Sequence, residues 1–256
     1  MRLLHRTTRS VSLSDEGAAF YERCQRILAD LDEAEAAMAT RKDEPRGKLR
    51  LDVPVSFGRM HVLPILHRFM AEWPELVVNV SFTDRYVDLI EEGIDLAIRI
   101  GGAEDSRLMT RTLAPHRLVT CATPAYLEAH GTPASLDDLA SHSCLAFIHG
   151  GRPAEWRFTV DGVPRSVPVH GRFCAGNAEA LRDGVLAGYG IGQLATFLVG
   201  GDLRAGRLVP VLQGHAIEGA PIRAVYPSPR HLSSKVRRFI DLIAESWSPS
   251  PLWDRG

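Results

Sequence analysis

The stretch Lys48-Leu49-Arg50-Leu51-Asp52-Val53-Pro54-Val55-Ser56-Phe57-Gly58 decides the architecture. Leu49, Leu51 and Val53 alternate with Arg50 and Asp52, the two-residue period of a strand. Ser56-Phe57-Gly58 then opens a helix carrying Val62, Leu63, Leu66, Phe69 and Met70, which ends before Pro74. Val77 to Phe82 reads as a second strand, Tyr86 to Glu92 as a short helix stopped by Gly93, and Asp95 to Gly101 as a third strand. A β-α-β-α-β order implies parallel pairing through right-handed crossovers, hence an α/β fold.

Downstream, extended sequence runs from Leu108 to Thr112 and from Arg117 to Ala122. Pro124 starts a short helix through Ala129, and Leu136 to Ala140 forms another. Cys144 to Ile148 is a strand, and Trp156-Arg157-Phe158 with Val163 to Val169 forms a hairpin around Asp161-Gly162. Asn177 caps a helix through Ala187, stopped by Gly188-Tyr189-Gly190. A strand over Ile191 to Leu194, a helix to about residue 205, and strands over Leu208 to Leu212 and Ile222 to Tyr226 follow. Ser233 or Ser234 caps a last amphipathic helix with Val236, Phe239, Ile240 and Ile243 inward.

Upstream of the body the pattern changes. Residues 1–13 hold Arg2, His5, Arg6 and Arg9 and no acidic side chain, and Val11 and Leu13 alternate with polar neighbours as in a hairpin or wing. Ser14 is a helix N-cap, with Asp15 and Glu16 favouring the dipole of the first turn. Phe20, Cys24, Ile27, Leu31, Ala34 and Met38 recur at alternating steps of four and three. That 3.5-residue repeat buries a narrow seam against a second helix, and Arg23, Arg26, Asp30 and Glu33 crowd it as partner pairing requires. Residues 41–47, charged and holding Pro45 and Gly47, form a hinge.

The composition narrows the function. The 256 residues carry a net charge of −1, with 45% hydrophobic and 24% charged residues, so basic character is confined to the N-terminal patch. No apolar run is long enough for a membrane span, and the N-terminus has no signal-peptide core, so a cytoplasmic protein is expected. Cysteines at 24, 121, 144 and 174 have no CxxC spacing, and His61 and His67 lie six apart, off a shared helical face, so no metal site is expected. Gly188-Tyr189-Gly190-Ile191-Gly192 follows a helix and precedes a strand, the reverse of a phosphate-cradling loop, so no cofactor is expected. His142-Ser143-Cys144 and His149 are sequence neighbours without a catalytic arrangement, and no enzyme is expected.

Arg6-Thr7-Thr8-Arg9, then Leu13-Ser14-Asp15-Glu16-Gly17 with the long helix, then Asp84-Arg85-Tyr86-Val87-Asp88-Leu89-Ile90-Glu91-Glu92-Gly93-Ile94-Asp95-Leu96-Ala97-Ile98-Arg99-Ile100-Gly101, resemble the LysR-type transcriptional regulators. Pro124-Ala125-Tyr126-Leu127 and the glycine-rich 188–192 segment fall in family order, so the resemblance spans nearly the whole chain. It implies a two-lobed effector domain like the type 2 periplasmic binding proteins, preceded by a long linker helix and the remnant of a winged helix-turn-helix. The implied division is 1–14 wing, 15–40 linker and dimerisation helix, 41–47 hinge, 48–247 effector domain and 248–256 tail. Lobe I takes 48–117 and 221–247, and lobe II takes 118–220. The family's recognition helix precedes the wing and Met1 falls just before it, so the chain as given is expected to dimerise or tetramerise and bind an effector, yet hold DNA weakly and with little sequence choice.

The expected effector contacts are Ser56 and Phe57 after the first strand, Thr83 and Asp84 after the second, Arg99 and Gly101 at the end of the third, and Asn177 facing Ser56 from the second lobe. Arg99 has an alternative role, an ion pair with Asp84 or Asp95, and Ser56 and Asn177 can be plain helix caps. Arg6 and Arg9 are expected on DNA phosphates, and Phe20, Cys24, Ile27, Leu31, Ala34 and Met38 in the dimer seam. A solute-binding protein without a DNA role is the other reading of such a domain; the heptad helix and the missing signal segment speak against it.

Overall fold

The computed structural model describes residues 3–6, 11–21, 23, 24, 27, 44–101, 106–149, 151–227 and 232–254. Strands β1 (Leu4–Arg6) and β2 (Val11–Leu13) pair antiparallel with Leu4 opposite Leu13, the expected hairpin. Ser14 follows; its backbone N–H donates to Leu3 O at 3.1 Å and its Oγ accepts from Gly17 N–H at 3.0 Å. Residues 15–21, 23, 24 and 27 are helical (α1). Arg9, Leu31, Ala34 and Met38 lie outside the described residues.

The first lobe is the parallel unit. β3 (Gly47–Val53) leads into α2 (Val55–Phe57), a π turn over Gly58–Val62 and α3 (Leu63–Glu72), one continuous helical run. Gly58 lets that run lie on the strand it has just left, since a Cβ there would collide with the Val53 side chain. β4 (Leu76–Phe82) and β5 (Leu96–Ile100) flank β3 and pair parallel to it. Between them, the expected helix over 86–92 does not form. Asp88 Oδ1 instead accepts from the N–H groups of Ile90 (2.9 Å) and Glu91 (3.1 Å), a side-chain turn that competes with helical bonding. Gly93, at φ +63°, closes the turn as Ile94 N–H reaches back to Leu89 O at 2.8 Å.

β6 (Leu108–Ala122) is one strand of 15 residues where the sequence suggested two extended pieces. Beyond it come α4 (Pro124–His130), a 3-10 turn over Asp137–Ser141, β7 (Cys144–His149), the short β8 (Arg152–Pro153), and the hairpin β9 (Trp156–Val160) and β10 (Val163–Val167). β11 (Cys174–Ala175), α5 (Ala178–Leu186), β12 (Ile191–Ala195), α6 (Thr196–Arg204) and β13 (Val209–Val211) complete the second lobe. β14 (Glu218–Pro227) then returns to the first lobe, followed by α7 (Ser234–Ser246) and a 3-10 turn over Leu252–Asp254. Ser233 flanks α7 without a side-chain cap, and the Ser234 hydroxyl donates to Glu44 O at 3.3 Å instead.

The sheet order is β11-β7-β12-β6-β14-β5-β3-β4, with β13 also on β6. The Leu118–Cys121 half of β6 pairs with β12, and its Leu108–Ala114 half with β14, so the two lobes share this strand. The first lobe buries Leu49, Leu51 and Ile98 beneath α3 and α7, whose Phe69 and Phe239 rings lie 5.1 Å apart. The second buries Tyr126, Leu139, Cys144, Trp156, Phe158 and Ile191 together. It also encloses Asp202, which accepts from Arg182 (Nε 2.6 Å, Nη2 3.0 Å) and Arg207 (Nε 2.9 Å, Nη2 2.6 Å).

Asp202 therefore fixes α5 and the turn before β13 to α6 through charge-assisted bonds. Asp202→Ala should lower unfolding stability by about 2 kcal/mol, measured by urea denaturation, because both guanidinium groups lose their buried partner.

Candidate functional site

Three parallel strands of the first lobe end on one side of the sheet, and a cavity of about 350 Å³ opens there between the lobes. From the first lobe it is bordered by Ser56, Phe57, Thr83, Asp84, Tyr86 and Arg99, and from the second by Phe147, Trp156, Leu181, Gln193 and Leu194, with His116 and Leu118 of β6 at its floor. A second hollow of about 490 Å³ shares Thr83, Asp84, Arg85, Tyr86 and Phe147 with it and reaches out to Ile148 and Gly176.

Ser56 is buried, 4% exposed, and sits inside the first helical turn, because Pro54 rather than Ser56 flanks α2. Its Oγ has no hydrogen-bond partner among the described residues. Asp84, at the end of β4, accepts from Val55 N–H at 3.1 Å, so an acidic side chain meets the positive end of that helix. Thr83 Oγ1 accepts from Arg85 N–H at 3.1 Å and shapes the same corner.

Arg99 is 7% exposed and pairs with neither Asp84 nor Asp95. Its Nη1 donates to Asp52 Oδ1 and, at 3.3 Å, to Ile98 O, while Nη2 is buried with no partner among the described residues. The reason is that both expected partners are committed: Asp84 to Val55 N–H, and Asp95 Oδ2 to Arg50 N–H at 2.8 Å. Asp52, 1% exposed on β3, faces inward beside β5. The Arg99 guanidinium also lies 5.9 Å from the centre of the Tyr86 ring.

Ser56, Phe57, Thr83, Asp84 and Arg99 are thus brought together, and Gly101 and Asn177 are not. Gly101, at φ +72°, does not border the cavity; a Cβ added there would stand 3.6 Å from Ala220 Cβ. Asn177 Oδ1 accepts from Ala180 N–H at 2.9 Å as the cap of α5, and it is the next residue, Ala178, that borders the cavity. Sequence reasoning missed His116 and Gln193. Gln193 is the lone long polar side chain in an apolar strand, which was a usable signal; its Oε1 accepts from Arg157 N–H (3.1 Å) and its Nε2 donates to Arg157 O (2.8 Å), bracing the β9 wall.

Among the described residues, polar contacts cross between the lobes beside the cavity at His61 and Arg59. His61 Nε2 lies 3.0 Å from Phe197 O, and Arg59 Nη1 pairs with Glu179 at 3.1 Å. Burial holds the His61 imidazole below the usual histidine range, outweighing its bond to Phe197. Burial pushes His116 down to about 4, only partly opposed by Asp254. Burial raises the Cys121 and Cys144 thiols to about 12, so both behave as inert apolar groups. Among the described residues no group of three or more potential metal ligands gathers, and no helix is long and apolar enough to cross a membrane.

Known proteins share this arrangement. The LysR substrate binding domain family matches residues 42–248. The HTH-type transcriptional regulator CrgA of Neisseria meningitidis serogroup C is 36% identical over 247 residues, covering 96% of this chain and 82% of its own. The HTH-type transcriptional regulator PtxR of Pseudomonas aeruginosa is 34% identical, covering 98% and 80%. The solved structure of Neisseria meningitidis CrgA, a LysR-type transcriptional regulator, superposes with a TM-score of 0.71 at 35% identity over 96% of this chain and 84% of that one. The full-length Vibrio cholerae virulence activator AphB superposes with a TM-score of 0.68 at 26% identity over 96% and 84%. These relatives are named as regulators, not as enzymes.

The Asp52–Arg99 pair is a buried charge pair at the cavity edge. Asp52→Asn should cost about 3–5 kcal/mol of stability in urea denaturation, and adding Arg99→Met should recover most of it, because the first change strands a buried cation and the second removes it. His116 gives a pH signature. The folded chain holds this group near pH 4 and the unfolded chain near 6.5, so between those values the unfolded state binds more protons. Stability should be level above pH 6.5 and fall as pH drops toward 4, with His61 adding in the same direction. His116→Gln should remove up to about 3 kcal/mol of that loss, read as a flatter dependence of melting temperature on pH.

Proposed function

The chain belongs to the LysR-type transcriptional regulators, and from that premise we propose how it senses. A small molecule enters the cavity and contacts Ser56, Phe57, Thr83, Asp84 and Arg99 on lobe I and the Leu181–Gln193 wall on lobe II. The lobes divide at 117/118 and 220/221, where β6 and β14 pass from one to the other. The molecule binds one lobe angle more tightly than another, and that difference shifts a pre-existing equilibrium. The observation that carries this reading is the cavity itself, walled from both lobes, with Ser56 and Arg99 at its border each holding a buried donor atom that has no partner among the described residues. Two polar donors amid phenylalanine, leucine and tryptophan side chains are the composition of a small-molecule site.

The output element is α1. Phe20 and Ile27 stand 49% and 62% exposed on the single chain, with Cys24 half-buried between them. Pairing with a second copy covers that stripe and carries the hairpins of both copies, with Arg6 in β1 near DNA phosphate.

A thermal-shift screen of metabolites against the whole chain tests the sensing role. A hit should lose its shift with Leu181→Trp, which fills the cavity, and should weaken by up to about tenfold with Ser56→Ala. A hit that stabilises all three proteins equally binds elsewhere and removes the cavity from the account. For assembly, Phe20→Glu with Ile27→Glu should lower the mass seen by light scattering to that of one chain.

A further inference from the structure

The two crossing strands are not the only chain between the lobes. After α7 ends at Ser246 and Trp247 caps it in the first lobe, the 3-10 turn Leu252–Asp254 comes to rest against α6 of the second. Trp253, 7% exposed, has its ring 5.4 Å from Trp247, 5.5 Å from Phe57 and 4.2 Å from His61. Phe57 in turn meets Phe197 of α6 edge-on at 5.0 Å. Phe57 and Phe197 both border the cavity, one from each lobe. Trp253 therefore lies directly behind the cavity wall without facing the cavity.

Asp254 fixes the segment at its far end. Its side chain is 2% exposed, and both oxygens are used: Oδ1 accepts from the Thr196 hydroxyl at 2.6 Å and Oδ2 from Arg117 Nη1 at 2.6 Å. Arg117 belongs to β6 at the point where that strand changes lobes, and its Nε also reaches Glu218 of β14 at 3.3 Å. A buried carboxylate loses much of its hydration, and it is tolerated here because two directed donors replace it. A segment that only covered apolar surface would need Trp253 and not this acid. Contact with α6 is also close: a Cβ added at Gly200 would stand 2.8 Å from Trp253 O.

We propose that residues 247–254 are a third tie between the lobes, and that Trp253 and Asp254 are positioning residues for the walls of the cavity between them. They hold Phe57 and Phe197 in register and set the lobe angle, though neither touches the cavity. The proposal uses the two-lobed geometry alone and does not depend on the effector reading.

Hydrogen-exchange mass spectrometry on the whole chain tests it without a ligand. Trp253→Ala and Asp254→Asn should each speed exchange on the order of tenfold both in 55–62 of the first lobe and in 193–200 of the second. Trp253→Phe, which keeps a ring behind Phe57, should restore rates close to wild type. Gly200→Ala alters only the second lobe, yet it should speed exchange at 55–62 by displacing Trp253. Helix α4 of the second lobe, which borders neither the cavity nor residues 247–254, should keep wild-type rates in every variant. Unchanged rates at 55–62, faster exchange confined to the mutated side, or an equal rise in α4 would each overturn the proposal, the last by showing a general loss of stability.

Discussion

The whole molecule hangs on β6. Its 15 residues form one unbroken strand, yet its two halves donate and accept hydrogen bonds in different lobes. That ladder ties the lobes to each other. Its least regular pairing lies next to His116, opposite Gly219 of β14, with the β14 register shifting between Gly219 and Ile222. A side chain at Gly219 would strike the His116 ring, so the glycine lets the two crossing strands lie close at the register shift. The histidine facing it is kept neutral by burial, which leaves no repulsive charge in the bend.

The cavity follows from this constraint and from the parallel unit of the first lobe. Parallel strands all end on the same side, and the helix after β3 begins there with its N–H groups outward. Asp84 occupies one of those groups and Arg99 is paired with Asp52, while Arg85, Glu155 and Arg157 also border the cavity. Ser56 and Arg99 each keep a donor atom without a partner among the described residues, beside phenylalanine, leucine and tryptophan side chains. Such a lining rewards shape together with a few well-placed polar groups.

Much of this could be read from the chain, for a physical reason. Leu49, Leu51 and Val53 are buried on one strand, and Ile65, Leu66 and Phe69 on one helix face, so burial wrote periodicity into the sequence. Asp161-Gly162 and the Ser14 cap are local signals that need no tertiary knowledge. The failures are the non-local ones. Asp52 looked like a solvent-facing alternate and is buried, because Arg99 arrives from another strand to neutralise it. Residues 86–92 had helical spacing, and a single Asp88 side chain diverted the backbone. β6 looked interrupted because Pro115 lacks an N–H; it sits beside the β14 register shift, where no ladder bond is required. Asn177 was placed correctly on its helix and wrongly in the cavity, since an offset of one residue cannot be resolved from a cap signal.

The first lobe also ties the segment before β3 to the cavity. Glu44 O accepts from the Ser234 hydroxyl at the start of α7, and Pro45 beside it is buried. At the other end of the same helix, Trp247 packs edge-on against Phe57, 5.4 Å away. The 13 residues of α7 span about 20 Å, and their inner face, Val236, Phe239, Ile240 and Ile243, is almost wholly buried. A helix so anchored moves as one body with its lobe. Residues 44–46 therefore pack as part of the first lobe. Under the proposed change in lobe angle they would stay with that lobe, and the second lobe would reorient against the segment that leads back to α1. No flexible relay would then be needed between the cavity and residues 44–46, because a packed helix joins them.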